Sequence, residues 1–221
     1  TYKDAGVDID NADDAKRSMK KSVDSGDPRV LNTLGAFASL VEGWFPGYTD
    51  PVLALKTEEP GSKQKLAFQK GYARSICEDT INHLINDIAV MGAVPLYAQD
   101  LIICGKLEKD VVTEVVQGFA DACKAQGCVL TGGETTEQPG VLEPGVYALG
   151  ASIVGIVERA NIVDGSAIKE GDTVIAVGSN GLHTNGYTLV RKLMESDAAL
   201  ADSACDGTTF LDAAMRPHTC Y

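Results

Sequence analysis

A chain of 221 residues, 44% hydrophobic and 23% charged, is long enough for one large or two small globular domains with a real core. Its 19 basic and 31 acidic residues leave a formal charge of −12, which argues against nucleic acid as a partner because phosphate neutralisation takes clustered Lys and Arg. The most apolar stretch, 146–157, is too short and too rich in Gly to span a bilayer. No N-terminal charged-then-apolar signal is visible, and the six cysteines without a CxxC pair read as free buried thiols, so the expected location is the cytoplasm, with no membrane partner.

Residues 1–10 combine charge with Gly and read as a leader. The pattern predicts a helix over 11–23, capped by Asn11, with Ala12, Ala15, Met19 and Val23 as its apolar stripe. Apolar runs at 34–40 and 51–55 read as strands. The second runs into TEEPGSKQKLA (57–67), where a Gly, a Ser and two Lys after a strand could cradle phosphates, although the P-loop spacing is absent.

The stretch 78–95 carries the strongest pattern. At 100° per residue Ile81, Leu84, Ile85, Ile88 and Met91 share one face, and Asp79, His83, Asn86 and Asp87 share the other. No Lys or Arg lies on that polar face, so its acids have no local partner. The bland reading is a solvated face; the sharper one is two carboxylates and an amide where a cation could bridge them to a phosphate. Residues 96–104 alternate as a strand, with Asp100 as an acid inside it, against propensity. An amphipathic helix is expected over 110–126, capped by Asp110 and ended by Gly127.

A short strand at 128–130 is expected to open into a loop at 131–140. There Gly132 and Gly133 let a backbone approach a ligand, beside Glu134 and Glu137. Residues 147–157 read as a further strand. The polar connection 161–171 is taken as the domain boundary, giving domains at 1–160 and 161–221. Residues 173–177 begin the second unit, followed by SNGLHTNGYTLVRKLM (179–194), in which His183, Thr184, Asn185 and Gly186 precede a helix N-terminus suited to phosphate. Residues 216–221 resemble the start of a strand with no sheet to join. The second unit is too short for a complete core, so a fragment or a domain lacking its remainder is expected.

Five segments together carry a family resemblance: YKDAGVDID (2–10), NDIAVMGAVP (86–95), CGKL (104–107), GGETTEQPG (132–140) and GLHTNGYTLVRK (181–192). In this order they resemble aminoimidazole ribonucleotide synthetase, also called phosphoribosylformylglycinamidine cyclo-ligase. Its superfamily includes selenophosphate synthetase and thiamine-monophosphate kinase. The resemblance implies an α/β fold: an N-terminal mixed α/β domain whose sheet pairs with a second subunit into a barrel, making a homodimer, then an incomplete C-terminal α/β domain. It implies ATP and Mg²⁺ as cofactors. Asp79, Asp87 and Glu134 match acids of the metal site. Lys3, Asp4, Lys63, Asp100, Gly132, Gly133 and Glu134 match the nucleotide site. His183 is implied as the catalytic residue, with Thr184, Asn185 and Gly186 facing a small-molecule ribonucleotide substrate.

The implied reaction is ATP-dependent cyclisation of formylglycinamidine ribonucleotide to aminoimidazole ribonucleotide in purine biosynthesis. The alternatives are another ATP-dependent kinase or synthetase of the superfamily, or a catalytically silent dimeric relative. One departure bears on this. The family's T-D-G-V-G-T-K is here Thr57-Glu58-Glu59-Pro60-Gly61-Ser62-Lys63, where Pro60 removes an N–H and Glu59 adds a charge repulsive to phosphate.

Overall fold

The computed structural model describes residues 8–32 and 37–221. Four strands, β1 (Pro51–Glu58), β2 (Val94–Cys104), β3 (Val129–Glu137) and β4 (Tyr147–Glu158), form one sheet in the order β1-β4-β2-β3. β4 runs antiparallel to both β1 and β2, and β2 and β3 are parallel. Four helices accompany the sheet: α1 (Ile9–Val23), α2 (Lys63–Lys70), α3 (Ala73–Ala89) and α4 (Lys109–Ala125). Among the described residues no helix is long and apolar enough to cross a membrane.

Alternation along the strands decides which face is buried. Ala98, Ile102 and Cys104 of β2 and Leu149, Ala151 and Ile153 of β4 meet Ile76, Ile81, Leu84 and Ile88 of α3 and Val112, Val115 and Phe119 of α4. At roughly 1.5–3 kcal/mol per fully buried large apolar side chain, this layer dominates the stability of the sheet. Among the described residues the opposite face is covered at one end, where Val30, Val41, Phe45 and Tyr48 pack on Leu96, Tyr97, Val129 and Ile156. Beyond that cover Leu53, Leu55 and Leu101 stay exposed.

Several expectations shift. α1 starts at Ile9, because Asp8, not Asn11, accepts the first-turn N–H, at 3.2 Å. Asn11 instead donates to the Leu107 carbonyl, tying α1 to the turn before α4. In α4 the cap position falls on Glu108, with Asp110 in the first turn, where its charge suits the helix dipole. The stretch 57–67 is not all loop, because α2 begins at Lys63. Of the expected strand at 34–40, residues 34–36 lie outside the described residues, and Phe37, Ala38, Ser39 and Leu40 join no strand; a single bridge links Val30 to Val41.

The Gly-Gly pair sits inside β3 rather than in a loop. The β2–β3 register shifts between Ala98 and Gln99 and then aligns Gly133 with Asp100. A Cβ on Gly133 would come within 2.3 Å of the Asp100 carbonyl and carboxylate oxygens, so the glycine makes room for a neighbouring strand's acid.

After a 3₁₀ turn (Arg159–Asn161) the chain is irregular until α5 (Tyr187–Ser196). Residues 173–177, which begin this second unit, have no pairing partner among the described residues, and Val174, Ile175 and Val177 are exposed. An apolar extended run forms a strand only where a neighbour completes its ladder. A two-residue ribbon, β5 (Ala204–Cys205) with β6 (Thr208–Thr209), leads into α6 (Phe210–Met215). α5 and α6 share a small core of Tyr187, Val190 and Ala214, and the Tyr187 hydroxyl donates to the Ala214 carbonyl.

Candidate active site

The polar face of α3 is where α2, the loop before α5 and residues 216–221 meet. Lys63, the first residue of α2, reaches Asp79 with Nζ 2.5 Å from Oδ2, and both side chains are fully buried. The ammonium also donates to the carbonyls of His183 (3.2 Å) and Arg216 (3.0 Å) and lies 5.1 Å from the centre of the Tyr187 ring. Asp79 Oδ1 accepts the His218 backbone N–H at 3.0 Å. Burial pushes the Asp79 carboxyl up to about 6 although Lys63 and the His218 N–H hold it down. Burial likewise lowers Lys63, against the pull of Asp79. Each partner is thus held ionised mainly by the other.

Two turns further along α3 stands a second, wetter arrangement. Lys56 of β1 places Nζ 3.0 Å from Glu58 Oε2 and 3.0 Å from Asp87 Oδ2. His83, one turn before Asp87, has Nε2 3.7 Å from Asp87 Oδ2. One donor atom each from Glu58, His83 and Asp87 fall within 4.8 Å of one another, the geometry of a cation site. The acids of this helix therefore do have a basic neighbour, and it comes from the adjacent strand. Period-2 alternation puts Lys56 and Glu58 on one strand face, and the i, i+4 spacing aligns His83 with Asp87. Both signals are in the sequence, but nothing in it says that β1 lies against this part of α3.

The loop before α5 closes over this surface. Thr184 is buried and its hydroxyl lies 3.2 Å from His83 Nδ1. Ser62 and Thr188 hydroxyls are 3.3 Å apart. His183 is half-buried, its Nε2 3.3 Å from the Tyr221 hydroxyl and 3.4 Å from Ser179 Oγ. All three histidines of the chain meet here: His218 packs edge-on against His183 at 4.6 Å and against His83 at 5.6 Å. Both ring nitrogens of His218 are buried without a hydrogen-bond partner. Burial, with His183 and His83 alongside, lowers its pKa to about 4, so this ring is neutral at physiological pH.

Residues 216–221 are not a strand awaiting a sheet. They lie along α3, where Asn82 donates to the His218 carbonyl, Asn86 donates to the Thr219 carbonyl, and Asn86 Oδ1 accepts the Tyr221 N–H. The helix face read as solvated or metal-binding is largely occupied by the chain's own backbone.

The other expected residues are dispersed. Asp79, Asp87 and Glu134 do not converge. Asp79 is closed by Lys63, and Glu134 is exposed on β3 in register with Leu101, on the sheet face away from Asp100 and the helices. Asp100 is buried beneath Gly133 with no charged partner among the described residues, and burial pushes its carboxyl up to about 7. Gly132 is buried in β3, and Asn185 and Gly186 are exposed at the start of α5. Lys3 and Asp4 lie outside the described residues.

With this geometry in view, the comparisons with known proteins are informative. Residues 48–157 match the family described as AIR synthase related protein, N-terminal domain. The whole chain is 41% identical over 230 aligned positions to the phosphoribosylformylglycinamidine cyclo-ligase of Methylobacillus flagellatus. Both likenesses are to the AIR synthase family, the family model matching just under half of this chain. The chain spans 64% of that relative's length. Among solved structures, thiamine-monophosphate kinase from Stenotrophomonas maltophilia K279a superposes with a TM-score of 0.58 at 20% identity, covering 90% of this chain and 56% of that one. Hydrogenase maturation protein HypE in complex with ATP gives 0.52 at 20% identity, covering 69% of this chain and 42% of its own. These two likenesses are of fold.

In this chain, sequence reasoning missed Lys56 and Asn82, and it assigned no role to Glu58, His83 or His218. Each acts through a partner supplied by a distant segment.

Proposed function

We propose that the protein of which this chain forms part is a cyclo-ligase that uses ATP to close formylglycinamidine ribonucleotide into aminoimidazole ribonucleotide. The single observation that carries this reading is 41% identity along the entire chain to a curated cyclo-ligase. In the reaction, ATP phosphorylates the formyl amide oxygen, the amidine nitrogen attacks the activated carbon, and phosphate leaves as the ring closes. Holding those groups together is worth more than any single contact, because a bimolecular step becomes effectively unimolecular.

His183 is the proposed proton acceptor for the attacking nitrogen. Its side chain is half-buried, with Nε2 between the Ser179 and Tyr221 hydroxyls, within reach of a group bound over this loop. Thr184, Asn185 and Gly186 would orient the ribonucleotide at the start of α5, where backbone N–H groups suit a phosphate. Lys63, with its ammonium committed to Asp79, acts as a positioning residue that fixes α2 beneath the loop holding His183.

For the nucleotide we keep Lys3, Asp4, Asp100, Gly132, Gly133 and Glu134 as proposed contacts. The donor set tests where Mg²⁺ fits. Glu58 and Asp87 offer hard, partly exposed oxygens suited to it, whereas Asp79 is already closed by Lys63 and a backbone N–H. Mg²⁺, when bound, supplies neutralisation of phosphate charge. The exposed Leu53, Leu55 and Leu101 on the uncovered sheet face support a homodimer joined through that face.

The test is turnover by the full-length protein with formylglycinamidine ribonucleotide, ATP and Mg²⁺. His183→Ala is expected to lower turnover by about 10²–10⁴ while ATP affinity is retained. No ring closure by the wild-type protein, or loss of ATP binding together with turnover, would refute this assignment.

A further inference from the structure

The carboxylates Glu58 and Asp87 already hold a cation, and it belongs to the protein. The Lys56 ammonium stands 3.0 Å from an oxygen of each. Both acids draw on the same charge: Asp87 and Glu58 together raise the Lys56 pKa, with Asp87 contributing more. A divalent ion binding the donors of Glu58, His83 and Asp87 would have to sit where these contacts are made, because the three donor atoms lie within 4.8 Å of one another. A doubly charged ion and an ammonium cannot share that space.

We propose that Lys56 is an internal competitor for the divalent cation, a tethered counter-ion that must swing out before a metal can use the Glu58, His83 and Asp87 donors. This deepens the functional reading above, on which the presence of a metal at this site rests. The lysine is built for displacement: its side chain is 37% exposed, and a four-carbon stem lets the ammonium move into water without disturbing β1. Asp87 Oδ2 accepts from Lys56 at 3.0 Å and has His83 Nε2 3.7 Å away, so departure of the ammonium leaves an oxygen and a nitrogen donor side by side. That mixed set suits Mn²⁺ as well as Mg²⁺. The released ammonium then becomes a free donor for an anion arriving with the metal, so an ion carried by a polyphosphate meets less resistance than the bare ion.

Mn²⁺ alone, followed by the paramagnetic signal of the free ion, tests this without any turnover. Lys56→Met is expected to bind Mn²⁺ on the order of tenfold more tightly than wild type, and Lys56→Arg to remain close to wild type. Adding Asp87→Asn to Lys56→Met should abolish the gain. Lys56→Gln serves the same purpose should the methionine variant not fold. Equal or weaker Mn²⁺ binding on removal of the lysine charge overturns the proposal. So does a gain that survives Asp87→Asn, since the ion would then sit elsewhere. Failure of ring closure in the turnover assay would leave these affinities unchanged, so the two ideas fail separately.

Discussion

α3 carries two lysine–carboxylate arrangements on the same stripe, and they differ in one property. Asp79 and Lys63 are sealed from water and tied further by two carbonyls and a backbone N–H. Asp87, Glu58 and Lys56 are partly open and lack such ties to the Lys56 ammonium among the described contacts. The residue types match, so burial separates the roles. In the sealed pair desolvation competes with attraction, and removing either partner strands a charge. In the open group the contacts are weak and exchangeable. One is a joint and the other a socket.

The contrast can be broken by mutation. The largest effect is expected at the sealed pair, where Asp79→Asn should cost about 3–5 kcal/mol in denaturant unfolding because Lys63 keeps its charge without a counter-ion. Replacing both partners by apolar residues, Lys63→Met with Asp79→Leu, should recover most of that loss; equal loss in the double variant would mean that the pair also supplies a geometry that apolar groups cannot mimic.

An intermediate effect is expected at Asp100, which is buried like Asp79 but has no lysine beside it among the described residues. Its folded carboxyl holds a proton up to about pH 7, whereas the unfolded value is 3.8. The folded state therefore binds the extra proton between those limits, and this contribution to stability is lost as pH rises from about 4 to about 7. Asp100→Asn should flatten that part of the profile and be the more stable protein at pH 8, by a margin on the order of a few kcal/mol. Parallel profiles for the two proteins would show that Asp100 is ionised in the fold.

The smallest effect is expected in the open group. Asp87→Asn should change unfolding free energy by under about 1 kcal/mol, a change that added salt reduces. A loss as large as that of Asp79→Asn would erase the distinction between the two arrangements.

The layered core was legible from periodicity. The stripe Val112, Val115, Val116, Phe119 of α4 and the buried side of α3 follow directly from 3.6-residue spacing, and β4 from its apolar run. Met91 is the exception on the α3 stripe: it lies past the helix end and is partly exposed. What escaped was pairing across the sequence. Asp79 reads as an unpartnered acid until Lys63 and His218 are brought to it, and the α3 polar face reads as solvated until residues 216–221 lie down on it. The Gly132-Gly133 pair was read as loop chemistry because a glycine admitted for a neighbour's carboxylate leaves no local mark.

The seal over Lys63 and Asp79 also has a history in time. The helices that bring these two side chains together are neighbours in the chain, but the N–H group that finishes the enclosure belongs to a residue 139 positions after Asp79. At ribosomal rates of about 5–20 residues per second, that residue emerges roughly 7–28 s later. Throughout that interval the growing polypeptide presents both charges to water, where hydration costs nothing and the polar flank of α3 resists sticking to other nascent chains. The desolvation penalty falls due only at the end, when the arriving backbone can compensate it. A pair that looks costly in the folded molecule is therefore a solubilising device during synthesis, and becomes a fastening only once the segment carrying His218 has emerged.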